Sequence, residues 1–421
     1  MKRSIKQLII VNCQLSIIIL VIINTANAQV ITLDSVLSAI DLRNPMLQQF
    51  DQKVNAMNAY TAGAKSWMAP MVGAGPFWYP YPGQEIMSER DKGMIMFNIE
   101  QDIPNPFKLN AKRNYFSSRA SVEEKGRSIQ YNKLRSEAKT LYYDWLILDR
   151  KLHVLKENER IVKLMLDLAR LRYPYNQGSL GNIYKAEGRL YEVQNMKLMT
   201  QSEISDKQFR LKALMNLKSD TAIKLDTLTQ VVFDSNTILY DTASLTSTRS
   251  DVQQINRSIE VMRQNQLLQK AQAKPDFRIQ YQHMQPRGDM PKQFSLMAMV
   301  SIPIAPWASK MYKSEVTGMN YEIEAMKKEQ AAILLETKGM LTAMASQLTR
   351  MQQQLSNYEQ KIIPALRKNY ETLMLSYEEN REQLPIVIDG WEAMNMAQME
   401  YLEKMQDYYS MIVRYEKEIE K

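Results

Sequence analysis

Two periodicities divide this chain. Over much of its length apolar residues recur three and four apart. Tyr131, Leu134, Ala138, Leu141, Trp145, Leu148, Leu152 and Leu155 keep that spacing, and Val162, Leu166, Ala169 and Tyr173 resume it after Glu159 fills one slot. This is the spacing of a coiled-coil seam, and it predicts a helix over about 108–172. A second long helix, over about 309–376, carries Tyr312, Val316, Met319, Ile323 and Met326, then, after a shift of one, Leu341, Met344, Leu348, Met351, Leu355, Tyr358 and Ile362. Each would be roughly 100 Å long at 1.5 Å per residue, more than a globular core requires. A last helix runs on Val387, Trp391, Met394, Tyr401, Met405, Tyr408, Ile412, Tyr415 and Ile419, with Gln398 alone out of type.

Elsewhere the period is two. Ile95, Phe97 and Ile99 oppose Asn98, Glu100 and Asp102. Phe277, Ile279 and Tyr281 oppose Asp276, Arg278, Gln280 and Gln282, while Phe294, Leu296, Ala298, Val300 and Ile302 oppose Gln293, Ser295 and Ser301. Met71 to Tyr79 is a fourth, less regular candidate strand. One apolar and one polar face fit either a soluble sheet packed on a core or a membrane barrel with lipid outside and water inside. The aromatic clusters Phe77, Trp78, Tyr79 and Tyr81 beside the first strand, and Trp307 after the last, stand where interfacial girdles belong and favour the barrel. Four strands cannot close one, and open edges are not tolerated in lipid. Two copies would give a narrow eight-stranded barrel and three a wider one of twelve.

The order of elements occurs twice. Ile103-Pro104 before Pro106-Phe107 recurs as Ile302-Pro303 before Pro306-Trp307, and Leu171–Asn176 recurs as Leu375–Asn380. Each half reads as a short helix, two strands, a very long helix, a tight break and another helix. The expected division is a leader over 1–28, a first repeat over 29–218, a Ser/Thr/Asp-rich connector over 219–250 with one short strand around Val231 to Phe233, and a second repeat over 251–421. The leader has a basic start (Lys2, Arg3, Lys6), an apolar stretch from Leu8 to Ile23 and Ala26-Asn27-Ala28 as a cleavage site. Cys13, the only cysteine, lies inside it, so neither a lipid anchor nor a thiol is expected afterwards. No later run of apolar residues is long enough to span a bilayer as a helix.

Composition narrows the function. The chain has 421 residues, one Cys, two His, and 54 Lys plus Arg against 46 Asp plus Glu. Zinc-thiolate sites, disulfide scaffolds and cysteine nucleophiles are thereby excluded. The net charge of +8 is interspersed with acids as on a solvated helix face, so no nucleic-acid partner is expected. The chain has no HExxH, GxxxxGK[ST], GxGxxG or GxSxG, and His153 sits between the seam residues Leu152 and Leu155. No enzyme and no cofactor is expected.

Taken together, the segments ITLDSVLSAIDLRNPML, FNIEQDIPNPFKLNAKR, KPDFRIQYQHMQPRGDM, FSLMAMVSIPIAPW and IIPALRKNYETLMLSYEEN, in this order and duplication, resemble the outer membrane efflux protein family, the TolC-like channels. The resemblance covers the whole mature chain. It implies a mainly α protein: a long antiparallel coiled-coil helical tunnel, with each chain giving four strands to a trimeric 12-stranded outer-membrane β-barrel. It also implies a passive exit channel in outer-membrane lipid that extends into the periplasm, docking a periplasmic adaptor and an inner-membrane pump of the RND type. Pro385 departs from the usual tip sequence. Other readings are a secreted coiled-coil scaffold, a periplasmic adaptor or a type I protein secretion channel, although adaptors show one hairpin and this chain shows two.

Three sets of residues are candidate sites. Glu378, Glu379 and Glu382 would form an acidic periplasmic aperture, or else a solvated turn. Asn176, Gln177, Gly178, Ser179, Leu180 and Leu384 would form the adaptor-docking tips. The 29 methionines mostly fill helical seams, but Met284, Met290, Met297 and Met299 gather near His283. His283, Met284, Met297 and Met299 are the candidate metal ligands, thioether sulfur suiting Cu(I) or Ag(I) as exported ions.

Overall fold

The computed structural model describes residues 29–226, 231, 233, 242–303 and 305–421; the expected leader, with Cys13, lies outside them. In chain order the elements are β1 (Gln29–Ile31), α1 (Leu33–Arg43), α2 (Pro45–Gly63), β2 (Met71–Phe77), β3 (Met94–Ile103), α3 (Pro106–Arg172) and α4 (Leu180–Leu214). Then follow β4 (Ile223–Leu225), α5 (Thr242–Thr248), α6 (Ser250–Ala271), β5 (Phe277–Pro286), β6 (Gln293–Val300), α7 (Pro306–Asn357), a π-helical turn at Tyr358–Ile362, α8 (Ile363–Glu378) and α9 (Leu384–Glu418).

Where one short helix was expected before each strand pair, there are two. The first break falls at Asn44, because the ring of Pro45 excludes the α region for the residue before it, and Asn44 takes φ −71° and ψ 123°. Its Oδ1 then accepts from the Met46 N–H at 2.9 Å, capping α2. Asn105 repeats the device before Pro106, accepting from the Phe107 N–H at 3.0 Å. Proline suits the first helical position because its missing N–H would have had no partner there. The connector's strand also differs: β4 pairs in parallel with β1, while Phe233 packs its ring on Tyr415, centroids 5.2 Å apart. Val232 lies outside the described residues.

The seam of α3 is buried as the spacing predicts, but from Leu141 to Leu148 every residue is buried. A helix apolar on one stripe cannot do that unless it is enclosed. Here Tyr142, Tyr143, Leu146 and Ile147 complete the circumference and join Val36, Ile40, Leu211, Leu245, Leu348, Tyr408 and Ile412 in one core. A second core towards the hairpin ends holds Leu155, Met165, Leu166, Ala186, Tyr370, Tyr377, Val387 and Trp391.

The second long helix is not uniform. Seam spacing places Ile362 inside, yet it is 37% exposed and Ile363, Leu366 and Tyr370 carry the seam onward. The reason is Pro364, which has no N–H to give the carbonyl four residues back. The chain takes up the slack as a π turn in which the Ile363 N–H donates to the Tyr358 carbonyl, and the one extra residue rotates everything beyond.

The turns at the hairpin ends recur 204 positions apart. Asn176 and Asn380 are both left-handed, with φ 55° and 61°. The Gln177 N–H donates to the Arg172 carbonyl at 3.3 Å, and the Arg381 N–H to the Ser376 carbonyl at 2.8 Å. Asn216 and Glu420, with φ 53° and 55°, end α4 and α9 in the same way, and each of those helices has 35 residues. The long helices, however, begin at Pro106 and Pro306, only 200 positions apart.

Candidate functional site

The four longer strands form one antiparallel sheet in the order β2-β3-β5-β6, with β2 and β6 as open edges. Cross-strand partners share a face, so the register sorts every side chain. Ile99 lies opposite Val72 and Tyr281, and Tyr281 opposite Leu296. The face so defined is apolar apart from Gln101, His283 and Gln285. Among the described residues nothing covers it: Val72 is 75% exposed, Phe294 71% and Leu296 66%. The other face holds the charged and amide residues, internally bonded and interspersed with methionines and Phe77. The Arg278 Nε donates to Asp102 Oδ1 at 2.6 Å, its NH1 lies 2.6 Å from Glu100 Oε1, and Gln280 Nε2 donates to Asn98 Oδ1 at 3.0 Å. Among the described residues no helix is long and apolar enough to cross a membrane.

The metal set expected from sequence is not assembled. His283 lies on the apolar face, opposite Phe97 and Phe294, whereas Met284, Met297 and Met299 lie on the polar one. Strand alternation separates neighbours such as His283 and Met284. Met297 and Met299 lie opposite Gln280 and Arg278, several residues along the sheet from Met284. Met96, which the sequence reading passed over, lies directly opposite Met284. In all, Met71, Met94, Met96, Met284, Met297 and Met299 share the polar face.

At the far end of the helices two hairpin tips lie side by side. Gln177, Gly178 and Ser179 are exposed, and Ser179 caps α4 by accepting from the Asn182 N–H at 3.3 Å. Leu180 is 43% exposed, but Leu384, its counterpart in the second tip, is 1% exposed. As a docking contact Leu384 is therefore a wrong assignment: it packs among Tyr377, Val387 and Ile388 in the core. Pro385 sits in the first turn of α9, where it starts the helix instead of breaking one.

The carboxylates differ in their partners. Glu379 pairs with Arg381 at 3.2 Å, Glu382 Oε1 accepts from the Gln383 N–H at 2.9 Å, and Glu378 is exposed with no ion pair among the described residues. The tips are joined by a residue that sequence reasoning missed. Arg172, ending α3, donates to the carbonyls of Tyr377 at 2.7 Å and Glu378 at 2.9 Å, and its guanidinium lies 4.2 Å from the centre of the Tyr377 ring. It meets the last turn of α8, where carbonyls without a full helical partner and the negative end of the helix dipole favour a cation. Lys185 with Asp389 at 2.9 Å and Arg189 with Glu392 at 2.6 Å continue the link.

No protein-family model and no curated protein matches this chain. Solved structures do. The outer-membrane channel OprN is similar at TM-score 0.74 and 13% identity over 92% of this chain and 89% of its own. The outer membrane protein VceC from Vibrio cholerae is similar at 0.71 and 13% over 92% and 95%, and the open state of the MtrE outer membrane channel of Neisseria gonorrhoeae at 0.69 and 10% over 92% and 88%. At such identities the likeness is one of fold. This chain has the fold of those channels, a helical hairpin body crowned by a four-stranded sheet, as the resemblance implied.

Proposed function

We propose that the protein is the outer-membrane exit duct of a tripartite export system, reaching into the periplasm. The observation that carries this reading is the exposed apolar sheet face backed by a polar one, on a sheet with two open edges. Such a face is stable against lipid, and the edges are satisfied only by strands of other chains. Three copies joined head to tail, β2 of one against β6 of the next, would close a ring of twelve strands with the polar face inside. The recurrence of the same turns 204 positions apart supports a duplicated chain, with 29–218 and 251–421 as the repeats and 219–250 between them.

In this reading the hairpin tips form the periplasmic entrance. The first tip, Asn176 to Leu180, meets the adaptor, and an inner-membrane pump of the RND type supplies the energy. Glu378, Glu379 and Glu382 face the aperture. A soft cation, Cu(I) or Ag(I), suits a passage whose polar wall presents thioethers. A type I protein secretion channel would use the same duct. The test is fractionation and extraction: the protein should sediment with outer membranes, require detergent and migrate as a trimer. A soluble monomer of unchanged fold overturns the proposal and returns the scaffold or adaptor reading.

A further inference from the structure

The strands meet the helices at one end of the sheet, and that end differs in charge from the other. In segments 64–70, 104–114, 272–276 and 301–314, which join strands to helices, Asp276 is the one acidic residue. It is engaged by Lys108 at 2.5 Å. Lys65, Lys112, Arg113, Lys274, Lys310 and Lys313 are all exposed, and none forms an ion pair among the described residues. At the opposite end the turns 78–93 and 287–292 carry equal numbers of acids and bases. The basic end also exposes three large aromatic side chains, Trp67, Phe107 and Trp307. Lys274 Nζ lies 5.7 Å from the centre of the Phe107 ring.

Unpaired cations among exposed aromatic rings, at the edge of an apolar face, are what an interface between hydrocarbon and anionic headgroups selects. A cleft of about 570 Å³ at this level has Lys108 and Lys112 on its helical wall and Ile103, Phe277 and Val300 on its strand wall. Asp102 and Asp276 also line it but are held by Arg278 and Lys108, so Lys112 is the cation left to a phosphate, beside an apolar slot for the chain beneath. We infer that this belt binds the headgroups of anionic phospholipids in the leaflet on the helix-bearing side of the membrane. The inference rests on the barrel reading above and adds to it which lipid the protein prefers and through which residues.

The experiment uses the full chain carrying Trp78→Phe, reconstituted in phosphatidylcholine bilayers. Trp145 and Trp391 are buried, so quenching by acyl-brominated lipid reports on Trp67 and Trp307. Brominated phosphatidylglycerol should quench at severalfold lower mole fraction than brominated phosphatidylcholine, with the preference falling as salt rises. The preference should vanish in the Lys112→Gln/Arg113→Gln/Lys310→Gln/Lys313→Gln variant and survive when the three lysines are changed to Arg. Equal quenching by the two lipids, or a preference that persists in the Gln variant, overturns the belt and leaves the barrel standing. Absence of quenching by either lipid overturns both.

Discussion

The indole N–H of Trp391 donates to Oδ1 of Asn158 at 2.7 Å, joining α9 to α3 inside the second core. Asn158, only 1% exposed, also donates through Nδ2 to Gln398 Oε1 at 3.1 Å and to the Val154 carbonyl at 3.0 Å. Gln398, the residue out of type in the last seam, is thus the partner of a buried amide. A single polar pair of this kind can fix the register of packed helices. Asn158→Ala strands the indole N–H and should cost about 1–3 kcal/mol in denaturant unfolding. Asn158→Leu combined with Trp391→Phe should cost less than the two single changes summed, because the polar partners leave together. Additive losses would show that the bond contributes nothing of its own.

Arg172→Ala removes the clamp on the carbonyls of Tyr377 and Glu378. The site is partly wet, so the loss should be modest, about 1 kcal/mol, and local. Hydrogen exchange should speed up at the tip amides around 176 and 380 and stay unchanged over 141–148. Ion conductance in planar bilayers should rise if the clamp narrows the entrance. A uniform rise in exchange along the chain would contradict a local role.

The register assigns Ile279 to the uncovered apolar face and Gln280 to the bonded polar one. Ile279→Arg should cost about 2–4 kcal/mol near a bilayer midplane, read as lower heat stability of the extracted oligomer. Gln280→Arg should be tolerated. Equal responses would reverse or abolish the face assignment.

Replacing Glu378, Glu379 and Glu382 together by Gln should lower cation selectivity and weaken block by divalent cations in planar bilayers. The effect should fade with salt over a screening length of about 8 Å at 0.15 M. Because Glu379 is already paired with Arg381, Glu378→Gln alone should give most of the change. Normal conduction with lost adaptor cross-linking would move these residues to the outer surface.

The carboxyl of Glu159 is held below the usual carboxylate range, chiefly by the hydrogen bond from Lys197, with Gln194 Nε2 adding another at 3.1 Å. A carboxylate whose folded pKa is depressed contributes stability that is present above its unfolded value of 4.5 and is lost as pH falls below it. Glu159→Gln should therefore narrow the stability gap between neutral and acidic solution. An unchanged acid limb would remove this pair from the balance.

Much of this was legible because periodicity reports faces. Phe97, Ile279 and Leu296 alternate with polar neighbours, and the structure puts all three on one side of the sheet. What periodicity could not show was which face a third element covers. Tyr142 and Ile147 lie off the seam and read as surface, yet they are buried because the strand pair β1–β4 and the short helix α1 close around α3. Pro364 was visible, but its effect, a π turn that hands the seam from Ile362 to Ile363, depends on where the freed carbonyl finds a donor. The proposed metal set failed for a simpler reason. Closeness in sequence does not survive alternation, so His283 and Met284 point apart. Arg172 carried no signal at all, since its partners are backbone carbonyls.

The step from an offset of 200 at the helix starts to 204 at the tips leaves the second arm four residues longer than the first, about 6 Å at 1.5 Å per residue. A ring of three such chains would carry six arms of two alternating lengths, each longer arm also bearing the offset of its π turn. Because Arg172, Lys185 and Arg189 hold the two tips level, the surplus lies at the sheet end, where the junction of helices and strands would step, repeating every third of a revolution and not every sixth. The rim itself would stay level, so a partner built on sixfold spacing would meet six tips at one height and tell them apart only by side chains, such as the exposed Leu180 and the buried Leu384.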